Sequence, residues 1–331
     1  GDLATFDVVA IGDGPLSYQW RKDGIDIPGA TDATLQIPEA GPEDAGSYTV
    51  VVSDDCDAVE SAPAILTVRV APTITDPPDD VTVCEGSPAT FTVTATGSMP
   101  LSYQWRLDGI DIPGATGPSY SIESVTPGDA GSYTVVVSND CGSVESAAAI
   151  LTVRVGPVIV TPPAPVEACV GATATFTVTA EGSAPLLYQW RKDGVPIAGA
   201  TMAMLTIDPV TEGDAGLYDV VVSNDCNSVT SAAAALTVLV APTIVTPPAP
   251  VAACVGDDAV FTVVAEGSPP LLYQWRKDGV PIPNETMATL TIDPVTPGDA
   301  GVYDVVVTNE CGSVTSAGAT LTVLVAPMIT S

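Results

Sequence analysis

The chain contains no histidine, and only nine basic residues stand against 40 acidic ones, for a net charge near −31. Without histidine it lacks the side chain that most often moves protons near neutral pH and most often ligates metals. The negative charge repels nucleic acid and anionic lipid surfaces, and it keeps a chain rich in apolar residues in solution. Aromatic residues are also scarce, with four Trp, four Phe and nine Tyr among 331 residues. No leader peptide is expected at residue 1, which falls inside a repeat, and no apolar run is long enough to span a membrane. The most apolar stretch, Ala232 to Val245, is too short for that. It is broken by Pro242 and rich in β-branched residues, so it reads as a strand, a linker and the next strand.

The aromatics that are present recur. Trp20, Trp105, Trp190 and Trp275 stand 85 residues apart, and Tyr48, Tyr133, Tyr218 and Tyr303 keep the same interval. So do Cys56, Cys141, Cys226 and Cys311, and so do Cys84, Cys169 and Cys254. A unit of this length suits one small β-sandwich. The period divides the chain into repeats at 71–155, 156–240 and 241–325. A first repeat at 1–70 lacks its opening strands, and 326–331 begins a fifth. This predicts either a window on a longer repeat protein or ends that complement one another between copies.

Each repeat reads as β throughout. In the second, Phe91, Val93 and Ala95 alternate along one strand, Trp105 sits in another, and Asp108-Gly109 marks a tight hairpin between strands. A turn through Asp129-Ala130-Gly131 leads into a strand from Tyr133, and Asn139-Asp140-Cys141-Gly142 turns the chain into the last strand. No window has helical apolar spacing. The fold class expected is all-β, a series of tandem sandwiches arranged as an elongated rod. Short proline-containing linkers such as Val70–Pro78 leave little slack between neighbours.

The stretches PLSYQWRKDG, DAGSYTVVVS and CGSVESAAAILTV resemble the immunoglobulin superfamily, intermediate-set type. They are similar to tandem immunoglobulin-like domains of large bacterial surface proteins. The resemblance recurs four times and covers the whole chain. It implies that the four Trp fill the cores and that the four Tyr form tyrosine corners.

The cysteines depart from the family pattern. At the positions of its core disulfide stand Val93 and Val135, and again Val178 and Val220, so apolar packing replaces the bridge. One set of cysteines has moved to the turn between strands A′ and B, the other to the F–G turn. The inferred topology puts these turns at opposite ends of one sandwich, roughly 25 Å apart, against the ~7 Å a disulfide allows. Tandem stacking instead favours Cys84 with Cys226 and Cys169 with Cys311, each pair bridging neighbouring repeats. Cys56, Cys141 and Cys254 would then have partners outside this window. Pairing within a repeat, as in Cys84 with Cys141, and free thiols are the alternatives. Either disulfide reading implies an oxidising compartment.

No catalytic constellation recurs, and no cofactor is expected. Asp76, Asp79 and Asp80 cluster at one junction, but Thr161, Ala164 and Pro165 replace them at the next, so calcium is not expected there. Asn284-Glu285-Thr286 forms a single glycosylation triplet. A repeated unit without a chemically singular site predicts a non-enzymatic extracellular structural protein, a stapled fibre or stalk that associates end to end. The alternative is a cell-surface adhesin that binds a glycan or another cell through its loops.

Overall fold

The computed structural model describes residues 1–327, so the last four residues of the expected fifth repeat at 326–331 lie outside the described residues. The chain forms two compact units, Gly1–Arg154 and Val155–Ser331, and each contains two separate buried clusters.

The second repeat shows how the sequence pattern becomes structure. Valine, threonine and aromatic side chains suit a pleated surface buried on one side. Along Gly131–Asn139, Tyr133, Val135 and Val137 are buried while the residues between them are more exposed. This strand lies antiparallel to Ser102–Leu107, with Val135 opposite Trp105. Ser102–Leu107 continues into the two-residue strand Ile110–Asp111. Asp108 and Gly109 make that turn with φ of 50° and 80°. Two successive positive φ values define the tight hairpin turn that Asp-Gly favours. On its other edge Gly131–Asn139 pairs with Gly142–Glu145 and Ala149–Arg154. Ala149–Arg154 then runs parallel to Val81–Cys84 and sets Cys84 beside Arg154.

The facing sheet is smaller. Ala89–Thr92 pairs with Ser119–Ile122, and Thr94–Thr96 pairs with Thr73–Asp76. The two pairings are divided at Val93, whose N–H turns to the Pro118 carbonyl. Phe91, Val93, Trp105, Tyr133, Val135, Val137 and Leu151 meet between the sheets in one buried cluster.

The third and fourth repeats have the same plan and equivalent cores. Val166–Cys169 runs parallel to Ala234–Leu239, with Cys169 beside Leu239. Val251–Cys254 runs parallel to Ala319–Leu324, with Cys254 beside Leu324. The first repeat begins at Ala4–Asp7, the counterpart of Ala89–Thr92, and its buried cluster is smaller. Val9 and Ile11, at the positions of Thr94 and Thr96, are 94% and 99% exposed.

The stretch read as a linker at Val70–Pro78 contains a four-residue strand, and so do its equivalents. Thr73–Asp76, Val158–Thr161 and Thr243–Thr246 each open a sandwich. Prolines on both sides limit such segments to short strands at a sheet edge. Between the third and fourth repeats only Val240, Ala241 and Pro242 separate one strand from the next.

Candidate functional site at the repeat junctions

The core markers occupy one environment in every repeat. Each Trp is buried, and its indole N–H donates to a backbone carbonyl: Trp20 to Asp32, Trp105 to Gly117, Trp190 to Met202 and Trp275 to Met287. Tyr48, Tyr133, Tyr218 and Tyr303 each donate their hydroxyl to the carbonyl four residues upstream, at 2.7–2.8 Å. Burial pushes the phenols of Tyr133, Tyr218 and Tyr303 up to about 12. Val178 and Val220 belong to one buried cluster in the third repeat, as Val93 and Val135 do in the second. These residues hold sandwiches together and offer no chemistry to a substrate.

The basic hairpin tips are engaged locally. Arg191 grips Asp219 with two hydrogen bonds of 2.6 and 2.9 Å, and Arg276 grips Asp304 in the same way. In the first two repeats the carboxylate comes from the other neighbouring strand: Arg21 pairs with Asp26 and Arg106 with Asp111. Among the acids weighed for calcium, Asp80 accepts the Ile150 N–H at 2.7 Å and so helps fix the last strand. Among the described residues no three metal-ligating side chains converge, and no helix is long and apolar enough to cross a membrane.

What recurs outside the cores is a socket that receives the incoming chain. In the fourth repeat Asn309 donates its side-chain amide to the carbonyls of Val240 and Ser268, at 2.7 and 2.9 Å. Its oxygen accepts the N–H of Cys311 at 2.9 Å. Ser268 closes the ring, accepting the Val240 N–H on its hydroxyl and donating its own N–H to the Val240 carbonyl. One amide thus ties together the incoming linker, one loop and the last turn, and all its hydrogen-bonding groups are in use. Asn224 does the same with Val155 and Ser183, and Asn139 with Val70 and Ser98.

Steric fit repeats the pattern. Gly267 has φ of +146°, and a Cβ there would lie 2.9 Å from the Cα of Pro242. Gly97 and Gly182 face Pro72 and Pro157 at similar distances. Only glycine combines that backbone with so close an approach. At the third repeat's socket Asn227 fills the space a Cβ on Gly156 would need. In the first repeat, Asp13 and Asp54 stand where the others have Ser and Asn. Asp54 still accepts the Cys56 N–H, at 2.8 Å, but a carboxylate has no proton to donate to a carbonyl.

The socket brings two cysteines together. Cys169 lies beside Leu239, the next residue is Val240, its carbonyl holds Asn309, and Cys311 follows two residues later. Cys169 and Cys311 are bonded, with Cα atoms 5.6 Å apart across a sequence separation of 142. The bond joins the downstream end of the third repeat to the upstream end of the fourth. Cys56, Cys141 and Cys254 are exposed free thiols. Sequence reasoning passed over the socket residues. Gly-Ser and Asn recurring at the 85-residue interval in three repeats, but not in the first, was the available signal.

Fold and junctions together define a protein of tandem β-sandwiches with built connections between repeats. The immunoglobulin domain family matches residues 71–139, 156–224 and 241–309, more than half of the chain, and the chain belongs to that family. It is 30% identical to the muscle M-line assembly protein unc-89 of Caenorhabditis elegans, over 96% of this chain and 4% of that protein. It is also 30% identical to Roundabout homolog 1 of Rattus norvegicus, over 80% of this chain and 18% of that protein. The chain therefore spans a small part of the relatives it matches. Both are animal proteins, whereas the sequence motifs pointed to bacterial surface proteins; the immunoglobulin class is common to the two. A three-domain immunoglobulin fragment of titin superposes with a TM-score of 0.62 at 24% identity, covering 77% of this chain and 99% of the fragment. That likeness concerns the fold.

Proposed function

We propose that this chain is a non-enzymatic structural segment of a secreted or cell-surface protein, a fibre or stalk of immunoglobulin-like repeats stapled across their junctions. The Cys169–Cys311 bond carries this reading. A disulfide within a sandwich stabilises that sandwich, whereas one between sandwiches adds a second covalent path past the linker and so transmits tension. Its presence fits an oxidising compartment. The name of one relative, a muscle M-line assembly protein, also belongs to a structural assembly.

The repeats are taken as 1–70, 71–155, 156–240 and 241–325. Cys84, beside Arg154, and Cys226, two residues after Asn224, repeat the setting of Cys169 and Cys311, and we assign them to an equivalent bridge. Cys56, Cys141 and Cys254 are assigned to partners outside this window. End-to-end association of such chains into a filament is part of the same proposal.

Sedimentation and electron microscopy of the full chain under oxidising conditions test the assembly. Filaments many times longer than one chain are expected. Monodisperse monomers at high concentration would contradict the fibre.

A further inference from the structure

We infer that Asn309 is a positioning residue for the junction bridge: by clamping Val240 it holds Cys311 within reach of Cys169, and so selects which cysteines pair. The inference rests on the bridge existing at Cys169–Cys311 and concerns how that pairing is chosen.

Three observations carry it. Cys311 and Val240 are joined through one side chain, since Asn309 accepts from the first and donates to the second. Val240 follows Leu239 directly, and Leu239 lies beside Cys169 in a parallel ladder that belongs to the third repeat's own sheet. The path from one sulfur to the other therefore runs through a sheet register and hydrogen bonds, and none of these requires the disulfide. In addition, the linker is seated by groups independent of Asn309: the Ser268 hydroxyl and the close approach of Gly267 to Pro242. The clamp can form while both thiols are reduced. The ordering of the junction is then complete before the covalent step, which raises the effective concentration of one thiol at the other.

The covalent step is ordinary exchange with a low-molecular-weight disulfide such as oxidised glutathione. The thiolate of one cysteine attacks it, forming a mixed disulfide and releasing one glutathione thiolate. The second cysteine's thiolate then attacks the protein sulfur of that mixed disulfide and expels the second glutathione. Two protein thiols become one disulfide, one glutathione disulfide becomes two thiols, and two protons go to solvent or to the leaving thiolates.

The first repeat indicates the informative substitution. Asp54 keeps the turn to Cys56 without any amide to donate, so Asn309→Asp should preserve the turn and remove the bond to the linker at Val240 together with the bond to the Ser268 loop. The full chain is equilibrated in glutathione redox buffers, and Cys169–Cys311 is quantified by peptide mapping. Asn309→Asp is expected to lower the effective concentration about tenfold, the loss of two ordinary hydrogen bonds, with Cys311 partly recovered in other pairings. Ser268→Ala, which removes a single hydrogen bond, is expected to give a smaller fall in the same direction. Asn224→Asp should leave this pair unchanged. Melting of the fully reduced chain shows whether the fourth sandwich is intact in each variant. An intact reduced fold with unaltered effective concentration in both Asn309→Asp and Ser268→Ala would overturn the inference. Equal losses from the remote Asn224→Asp variant would overturn it too. If the parent chain itself lacks the Cys169–Cys311 peptide, the bridge reading fails instead, and the two failures are distinguishable.

Discussion

Replacing both Cys169 and Cys311 with serine removes the staple and leaves the cores intact, because neither side chain belongs to the buried clusters of its repeat. The effect on stability lies in the unfolded chain. The bond spans a sequence separation of 142, and closing a loop of that length restricts the unfolded ensemble by about 5 kcal/mol in the chain-entropy account. If the fourth repeat opens while the third stays folded, Cys169 remains fixed beside Leu239 and the free loop shortens to roughly 70 residues, worth about 4 kcal/mol. Either route predicts a large change for substitutions that leave both cores untouched. Urea unfolding followed by tryptophan fluorescence reads it, since Trp190 and Trp275 report on these two repeats. The midpoint for that part of the chain is expected to fall by at least about 1 M. The parent chain under reducing conditions should overlay the double variant. Superimposable curves for the oxidised parent and the double variant, with the bond confirmed in the parent, would refute the loop argument.

Further outcomes follow from individual contacts. Val220 is fully buried in the third repeat, so Val220→Ala should cost roughly 1–3 kcal/mol through the cavity it leaves, measured as a lower unfolding midpoint. Gly267→Ala would push a Cβ against the backbone of Pro242 at a positive φ, and should destabilise the fourth repeat by roughly 1–3 kcal/mol. Alkaline solution should weaken the fold. Tyr133, Tyr218 and Tyr303 hold their protons up to about 12 when buried, whereas an unfolded tyrosine releases its proton near pH ~10. Between those values the unfolded chain binds fewer protons, so stability is full below the lower value and falls as pH rises toward the upper one. Urea midpoints at pH 9 and pH 11 check this, and Tyr218→Phe should reduce the difference for the third repeat.

Much of this architecture was legible from local chemistry. Asp108-Gly109 marked its hairpin because two successive positive φ values demand such residues. The alternation through Tyr133, Val135 and Val137 marked a buried face because strands have a period of two. The Val93 and Val135 positions became readable once the family pattern was laid over the repeat. Thr73–Asp76 was harder to see: four residues between prolines look like a linker until the edge they cover is known. Asn139, the counterpart of Asn309 in the second repeat, was read only as part of a turn. The partners of Asn309, Val240 and Ser268, lie 69 and 41 residues away and are engaged through backbone carbonyls. A carbonyl is common to every residue, so the sequence carries no complementary side chain to find. The carboxylate that meets each basic hairpin was hidden for a different reason: it moves from Asp111 in one repeat to Asp219 in the next while the arginine stays in place, so no fixed spacing marks the pair.

The central claim is that the cysteines staple successive repeats. Peptide mapping of the native chain without reduction tests it most directly. Peptides linking Cys169 to Cys311 and Cys84 to Cys226 are expected, and none joining two cysteines of one repeat. Peptides linking Cys84 to Cys141, or Cys169 to Cys226, would contradict it.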